Sequence, residues 1–116
     1  MTLQPASGAR DLNPQQVKKN HLIASKLSSL YQLWGYERIS PPHIERIDTL
    51  MAAGGISNNE ILKIVSDEPL GLRPEITASI VRAASTRFKA YDRPLRFWST
   101  GTSFKCNQSI DGGIDI

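Results

Sequence analysis

The stretch Gly71-Leu72-Arg73-Pro74-Glu75-Ile76-Thr77-Ala78, running on to Arg82, decides how the chain is read. Leu70 and Leu72 close an apolar strand. Pro74 forces Arg73 into an extended conformation, because its ring clashes with a helical residue before it. Apolar or small residues follow at Ile76, Ile80, Ala84 and Phe88, spaced by four, and predict a helix from about Thr77 to Lys89. Arg73, Glu75 and Thr77 therefore lie on a strand-to-helix corner, beside helix N–H groups that have no internal partner. A carboxylate and a hydroxyl converging at such a corner make a grip for a small ammonium group. The same spacing also reads more simply: Thr77 caps the helix and Glu75 answers its dipole.

Upstream of the corner, Ile61–Val65 reads as a buried strand and Ser66-Asp67-Glu68-Pro69 as a turn. Leu70–Arg73 is then the second arm of a hairpin. Glu45–Met51 reads as a short helix ended by Gly54-Gly55, with Ser57–Glu60 as a loop. Further back, Asn13-Pro14-Gln15-Gln16 has the chemistry of a helix start: an N-cap, a proline at the first position and a capping-box glutamine. Ile23, Leu27, Leu30 and Trp34, with Tyr31 beside them, form one apolar stripe, expected to pack on the core. Gly35 ends that helix, and Tyr36–Ser40 reads as a strand stopped by Pro41-Pro42.

Downstream, Tyr91–Pro94 is a loop. Leu95–Thr100 reads as a strand continuing through Phe104-Lys105, Asn107–Gly113 as its loop, and Ile114–Ile116 as the first step of a return arm.

With 116 residues the chain suits one small domain. Its 40% hydrophobic and 22% charged residues are globular values. No repeat or low-complexity tract is present. The net charge of +3 is mild. Residues 72–105 are locally more basic, through Arg73, Arg82, Arg87, Lys89, Arg93, Arg96 and Lys105 against Glu75 and Asp92. That patch suits phosphates or an acidic partner, or is an ordinary solvated face. No aromatic-interleaved RNA signature accompanies it. Cys106 is the only cysteine, which excludes an internal disulfide and fits a reducing, cytoplasmic setting. His21 and His43 lack ligand-spaced partners, so no metal or cofactor is expected. No run approaches the length of a membrane span.

L-R-P-E-x-T-A-x-x-V-R resembles the amino-acid-binding segment of the histidyl-tRNA synthetase family, including its non-synthetase branch, the regulatory subunits of ATP phosphoribosyltransferase. The resemblance implies that Glu75 and Thr77 hold the α-amino group of histidine, with Arg73 in support. The long first helix, Trp34-Gly35-Tyr36, a short strand and Pro41 resemble motif one of class II aminoacyl-tRNA synthetases, much of whose dimer interface it forms. The Gly8-Ala9-Arg10-Asp11-Leu12 entry is similar to the histidyl branch, and Leu95–Lys105 to the first arm of motif two. The implied fold is α+β: a partial class II synthetase-like core, an antiparallel sheet with flanking helices, of which residues 1–116 are the N-terminal, incomplete part.

One departure matters for function. The family's motif-two strand ends F-R-x-E, and those two charged residues hold the α-phosphate and the adenine of ATP. Here the strand reads Phe104-Lys105-Cys106-Asn107. Lysine keeps the charge without the planar fork that grips phosphate, and Asn107 offers no carboxylate. Adenylyl chemistry needs fixed charge aimed at the transition state. A degraded ATP end beside a kept histidine end is the pattern of the regulatory branch. That branch implies a non-catalytic chain that joins the catalytic subunit of ATP phosphoribosyltransferase, forms a homodimer through motif one, and senses free histidine, without tRNA. Two other readings stay open: the N-terminal part of a histidyl-tRNA synthetase, and a dimerisation module without a ligand.

Overall fold

The structure is a computed structural model; it describes residues 3–52 and 55–105, and the backbone of Ile114 and Asp115. Helix α1 spans Pro14–Leu33. Both ends follow from local chemistry. The Asn13 side chain accepts from the Gln16 N–H at 2.9 Å, and the Gln16 side chain accepts from the Asn13 N–H at 3.0 Å, a full capping box. At the other end Gly35 takes φ +80°. The Gly35 N–H donates to the Gln32 carbonyl and the Tyr36 N–H to the Tyr31 carbonyl, the paired bonds of a Schellman ending.

Strand β1 (Glu37–Arg38) pairs in parallel with β5 (Phe97–Trp98). A three-stranded antiparallel sheet runs in the order β2 (Ile44–Arg46), β4 (Leu70–Leu72), β3 (Leu62–Ile64). Helix α2 (Ile47–Ala52) follows β2, a 3-10 turn covers Asn58–Glu60, and α3 spans Thr77–Ser85. Strand β6 (Gly101–Thr102) pairs antiparallel with β7 (Ile114–Asp115). The α+β architecture, the Leu62–Leu72 hairpin and the return arm agree with expectation.

Several elements differ from the sequence reading: the strand expected over Tyr36–Ser40 is Glu37–Arg38 alone, and the expected Ser57–Glu60 loop holds a 3-10 turn. The expected helix Glu45–Met51 starts at Ile47, because Ile44–Arg46 pairs with β4. In that strand Glu45 is buried and Ile44 exposed, which inverts the pattern that marks strands. Helix α3 ends at Ser85 rather than Lys89. The hydroxyls of Ser85 and Thr86 donate back to the carbonyls of Val81 and Arg82, an i−4 habit that weakens a helix locally. The buried face of α3 is Ala78, Ser79 and Ala83, while Ile80, Ala84 and Phe88 are half-buried. The expected strand Leu95–Lys105 is two short strands with a break at Ser99-Thr100. Val65, taken as part of a buried strand, is fully exposed.

The largest correction concerns α1. None of its residues is buried. Ile23, Leu30 and Trp34 are 46%, 48% and 74% exposed, so the stripe is not core packing in this chain. The helix leans on the body through Tyr31, whose ring lies 5.4 Å from Trp98, with half-buried Asn20, Ala24 and Leu27 on the same side. The core lies elsewhere, around Leu50, Ile61, Ile76, Ala78, Ala83 and Trp98. The radius of gyration is 15.9 Å, against about 13 Å for a compact domain of this length.

Candidate functional site

The corner after β4 is the most heavily secured part of the molecule. Arg73 is 2% exposed. Its Nε donates to the Thr102 carbonyl at 3.0 Å, and its Nη1 to the carbonyls of Pro41 at 3.1 Å and Pro42 at 3.3 Å. Its own N–H donates to the His43 carbonyl, and its carbonyl accepts from the Phe104 N–H. Arg73 thus ties the corner both to the segment before β2 and to the far side of β6. Gly101 makes room for it: a Cβ there would collide with the Arg73 guanidinium. Gly71 is tight for a similar reason, since a Cβ would run into the Ile61 side chain.

Glu75 is half-buried at the start of α3. Its two carboxylate oxygens accept from the N–H groups of Thr77 and Ala78, each at 3.3 Å. The cap is therefore made by Glu75 and not by Thr77, as the simpler sequence reading had it. Thr77 is exposed and lines a pocket of about 240 Å³ with Tyr31, Tyr36, Phe97 and Ser99. Glu75 is not among the residues lining that pocket. Among the described residues, the buried Ser99 hydroxyl and Trp98 indole N–H have no hydrogen-bond partner.

Capping does not exhaust Glu75. An ionised carboxylate offers about four acceptor positions, and the two backbone bonds occupy two of them.

Arg82, at the end of the quoted motif, reaches Glu45 on β2. Its Nε lies 2.8 Å from one carboxylate oxygen and 3.1 Å from the other. Spacing places Glu45 in a helix, and nothing in the sequence around it marks a role for it. With Arg73 and Arg82 engaged inside the protein, the locally basic stretch presents only Arg87, Lys89, Arg93, Arg96 and Lys105 as exposed cations.

Lys105 is exposed at the end of the described strand region. Asn107, Cys106 and the expected loop Asn107–Gly113 lie outside the described residues. A second, larger cleft of about 640 Å³ lies between α1 and β5–β6 and includes His21, Arg38 and Trp98; the Arg38 guanidinium carbon sits 5.3 Å from the Trp98 ring centre. Among the described residues, no three His, Cys, Asp or Glu side chains gather as metal ligands would. No helix among them is long and apolar enough to cross a membrane.

A family model described as histidyl-tRNA synthetase matches residues 8–114. An ATP phosphoribosyltransferase regulatory subunit of Prochlorococcus marinus (strain NATL1A) is 94% identical over the whole chain. One from Synechococcus sp. (strain WH7803) is 60% identical over the same span. The chain spans 30% of the length of each of these relatives. Among solved structures, an ATP phosphoribosyltransferase regulatory subunit/histidyl-tRNA synthetase from Bacillus halodurans superposes with a TM-score of 0.84 at 26% identity, over 95% of this chain and 30% of that one. An apo histidyl-tRNA synthetase of S. aureus gives 0.69 at 28% identity, over 90% of this chain and 29% of that one.

Proposed function

The chain belongs to the histidyl-tRNA synthetase family, and from that premise we propose that it is the N-terminal part of a regulatory subunit of ATP phosphoribosyltransferase. In this reading it senses free histidine at the Arg73–Thr77 corner, supports the catalytic subunit of that enzyme in the first step of histidine biosynthesis, and performs no adenylation. It works in the cytoplasm, pairs with a second copy through α1 and β1, and has no business with tRNA. The observation that carries the reading is an asymmetry. The residues read as the amino-acid end, Glu75 and Thr77, are kept in the sequence and stand at a corner tied down by Arg73. The ATP end has Lys105 and Asn107 where the family has arginine and glutamate. A sensor of histidine needs the first end and not the second. The names of the similar proteins support the same branch.

The test uses the full-length protein. If Glu75 accepts from the histidine ammonium, the bond is charge-assisted and contributes about 1.5–3 kcal/mol, so Glu75→Gln weakens histidine binding roughly ten- to a hundredfold. Thr77→Val keeps the shape and loses one neutral hydrogen bond, about 0.5–1.5 kcal/mol. Calorimetric titration reads both. If Glu75 serves only the helix start, affinity stays put in both variants and Glu75→Gln alone lowers stability, by about 0.5–2 kcal/mol. Histidine-dependent pyrophosphate exchange by the same protein is expected to be absent; its detection overturns the non-catalytic reading in favour of a synthetase.

A further inference from the structure

The ion pair between Glu45 and Arg82 stands apart from the groups read as contacting the amino acid. The Glu45 side chain is 4% exposed and that of Arg82 31%. A second bond holds the arginine from its own helix: Nη1 donates to the Thr86 hydroxyl at 3.4 Å, which in turn donates to the Arg82 carbonyl at 2.9 Å. A buried ion pair is a poor device for stability, because desolvation offsets most of the attraction and an apolar pair of similar volume does as well or better. What such a pair supplies is a fixed direction.

The place of the pair shows which direction is fixed. Glu45 stands opposite Gly71 in the β2–β4 ladder. From Gly71 the chain runs through Arg73, Pro74 and Glu75 into α3, and at Arg82 it returns to the Glu45 carboxylate. Residues 72–81 are thus closed at both ends on one residue, by a backbone register at Gly71 and by a side chain at Arg82. Arg82 lies about 140° around α3 from Thr77. Holding Arg82 therefore sets the rotation of the helix and the direction in which Thr77 and the N–H groups capped by Glu75 point.

We propose that Glu45 and Arg82 are positioning residues: their ion pair fixes α3 against β4 and thereby sets the affinity of the corner for the ammonium group of an amino acid. The proposal rests on the reading of Glu75 and Thr77 as amino-acid contacts. Its test is histidine calorimetry on the full-length protein, well below the unfolding temperature, with thermal unfolding on the same samples. Arg82→Met keeps the apolar stem and removes the charge; it is expected to weaken histidine binding roughly five- to twentyfold. Arg82→Lys, which keeps a charged donor, recovers most of that loss. The decisive variant is the double Glu45→Leu/Arg82→Met, which replaces the ion pair by an apolar contact. It is expected to restore the unfolding temperature and leave the affinity weak. If affinity returns together with the unfolding temperature, the pair is merely structural and the proposal fails. Should the double variant not fold, Arg82→Lys and Arg82→Met decide: equal, undiminished affinity in both overturns the inference. Glu75→Gln separates the two readings. A weakened Glu75→Gln beside unaffected Arg82 variants removes this inference alone, whereas an unaffected Glu75→Gln removes the histidine site beneath it.

Discussion

Between Leu70 and Ser85 the chain buries Gly71, Arg73, Pro74, Ile76, Ala78, Ser79 and Ala83. Between Pro14 and Leu33 it buries nothing. Both regions are bounded by well-formed local chemistry, and both carry an apolar stripe at helical spacing. The difference lies in what faces them. The corner is reached by β2, β6 and the Pro41-Pro42 segment, each of which donates or accepts a bond. Helix α1 touches the body along one narrow line through Tyr31 and Trp98. Amphipathic spacing states that a face is meant to be covered; it does not state by what. In the corner the cover is the chain itself. On α1 it is something that the described residues do not supply.

That contrast breaks first, and hardest, at Arg73. Arg73 is itself almost fully buried, and its guanidinium satisfies three carbonyls, the Pro41 bond buried and those to Thr102 and Pro42 half-buried. Arg73→Met leaves those acceptors without their donor, and each buried polar group so orphaned costs about 1–3 kcal/mol. The expected loss in the full-length protein is about 3–5 kcal/mol, a magnitude reached only by a few named mechanisms. Urea unfolding checks it. A loss below about 1 kcal/mol, within the range of ordinary surface changes and small defects, would mean that the corner is no better secured than α1.

Gly101→Ala is the finer probe of the same place. The new methyl would collide with the Arg73 guanidinium. A free arginine would simply swing aside, but this one is fixed by its carbonyl partners, so the strand must shift instead. Overpacking of this kind costs about 1–3 kcal/mol. The expected result is a lower unfolding temperature for Gly101→Ala in the wild-type background and little further loss in the Arg73→Met background. Equal losses in both backgrounds would show that the glycine serves the backbone of β6 and not the arginine.

How much of this was legible in the sequence follows from range. The capping box at Asn13, the ending at Gly35, the Leu62–Leu72 hairpin and the extended turn into Pro74 are all local devices, and they lie where the residues place them. Strand β2 was hidden because its inward residue is Glu45, whose burial makes sense only once Arg82, far along the chain, is known to face it. The role of Gly101 was hidden in the same way, since it depends on the end of the Arg73 side chain, which comes from the corner after β4. The start of α3 was half legible: the residue types for a cap were seen, but Glu75 supplies it and Thr77 does not. The side of α1 that leans on the body is not the stripe but the face carrying Tyr31, which packs on Trp98; helical spacing alone does not tell those two faces apart.

The smallest expected effect on stability, and the sharpest on the comparison, comes from the outer face of α1. Leu30→Lys and Trp34→Lys replace exposed apolar groups on a helix that buries no residue within this chain. Substitutions at such positions change stability by no more than about 0.5 kcal/mol when nothing covers them. An apolar stripe of this extent on the surface of a folded protein marks an interaction site. In the proposed function the cover is α1 of a second copy, so the two lysines would face each other's region across a two-fold axis and repel. Sedimentation of the full-length protein distinguishes three results. Folded monomer, from a wild-type dimer, supports pairing through α1. Unfolding of the variant shows that the rest of the same chain covers the helix, and α1 then belongs with the corner as an internally packed element. A dimer that persists with unchanged stability leaves the stripe without a partner and removes α1 from the proposed interface.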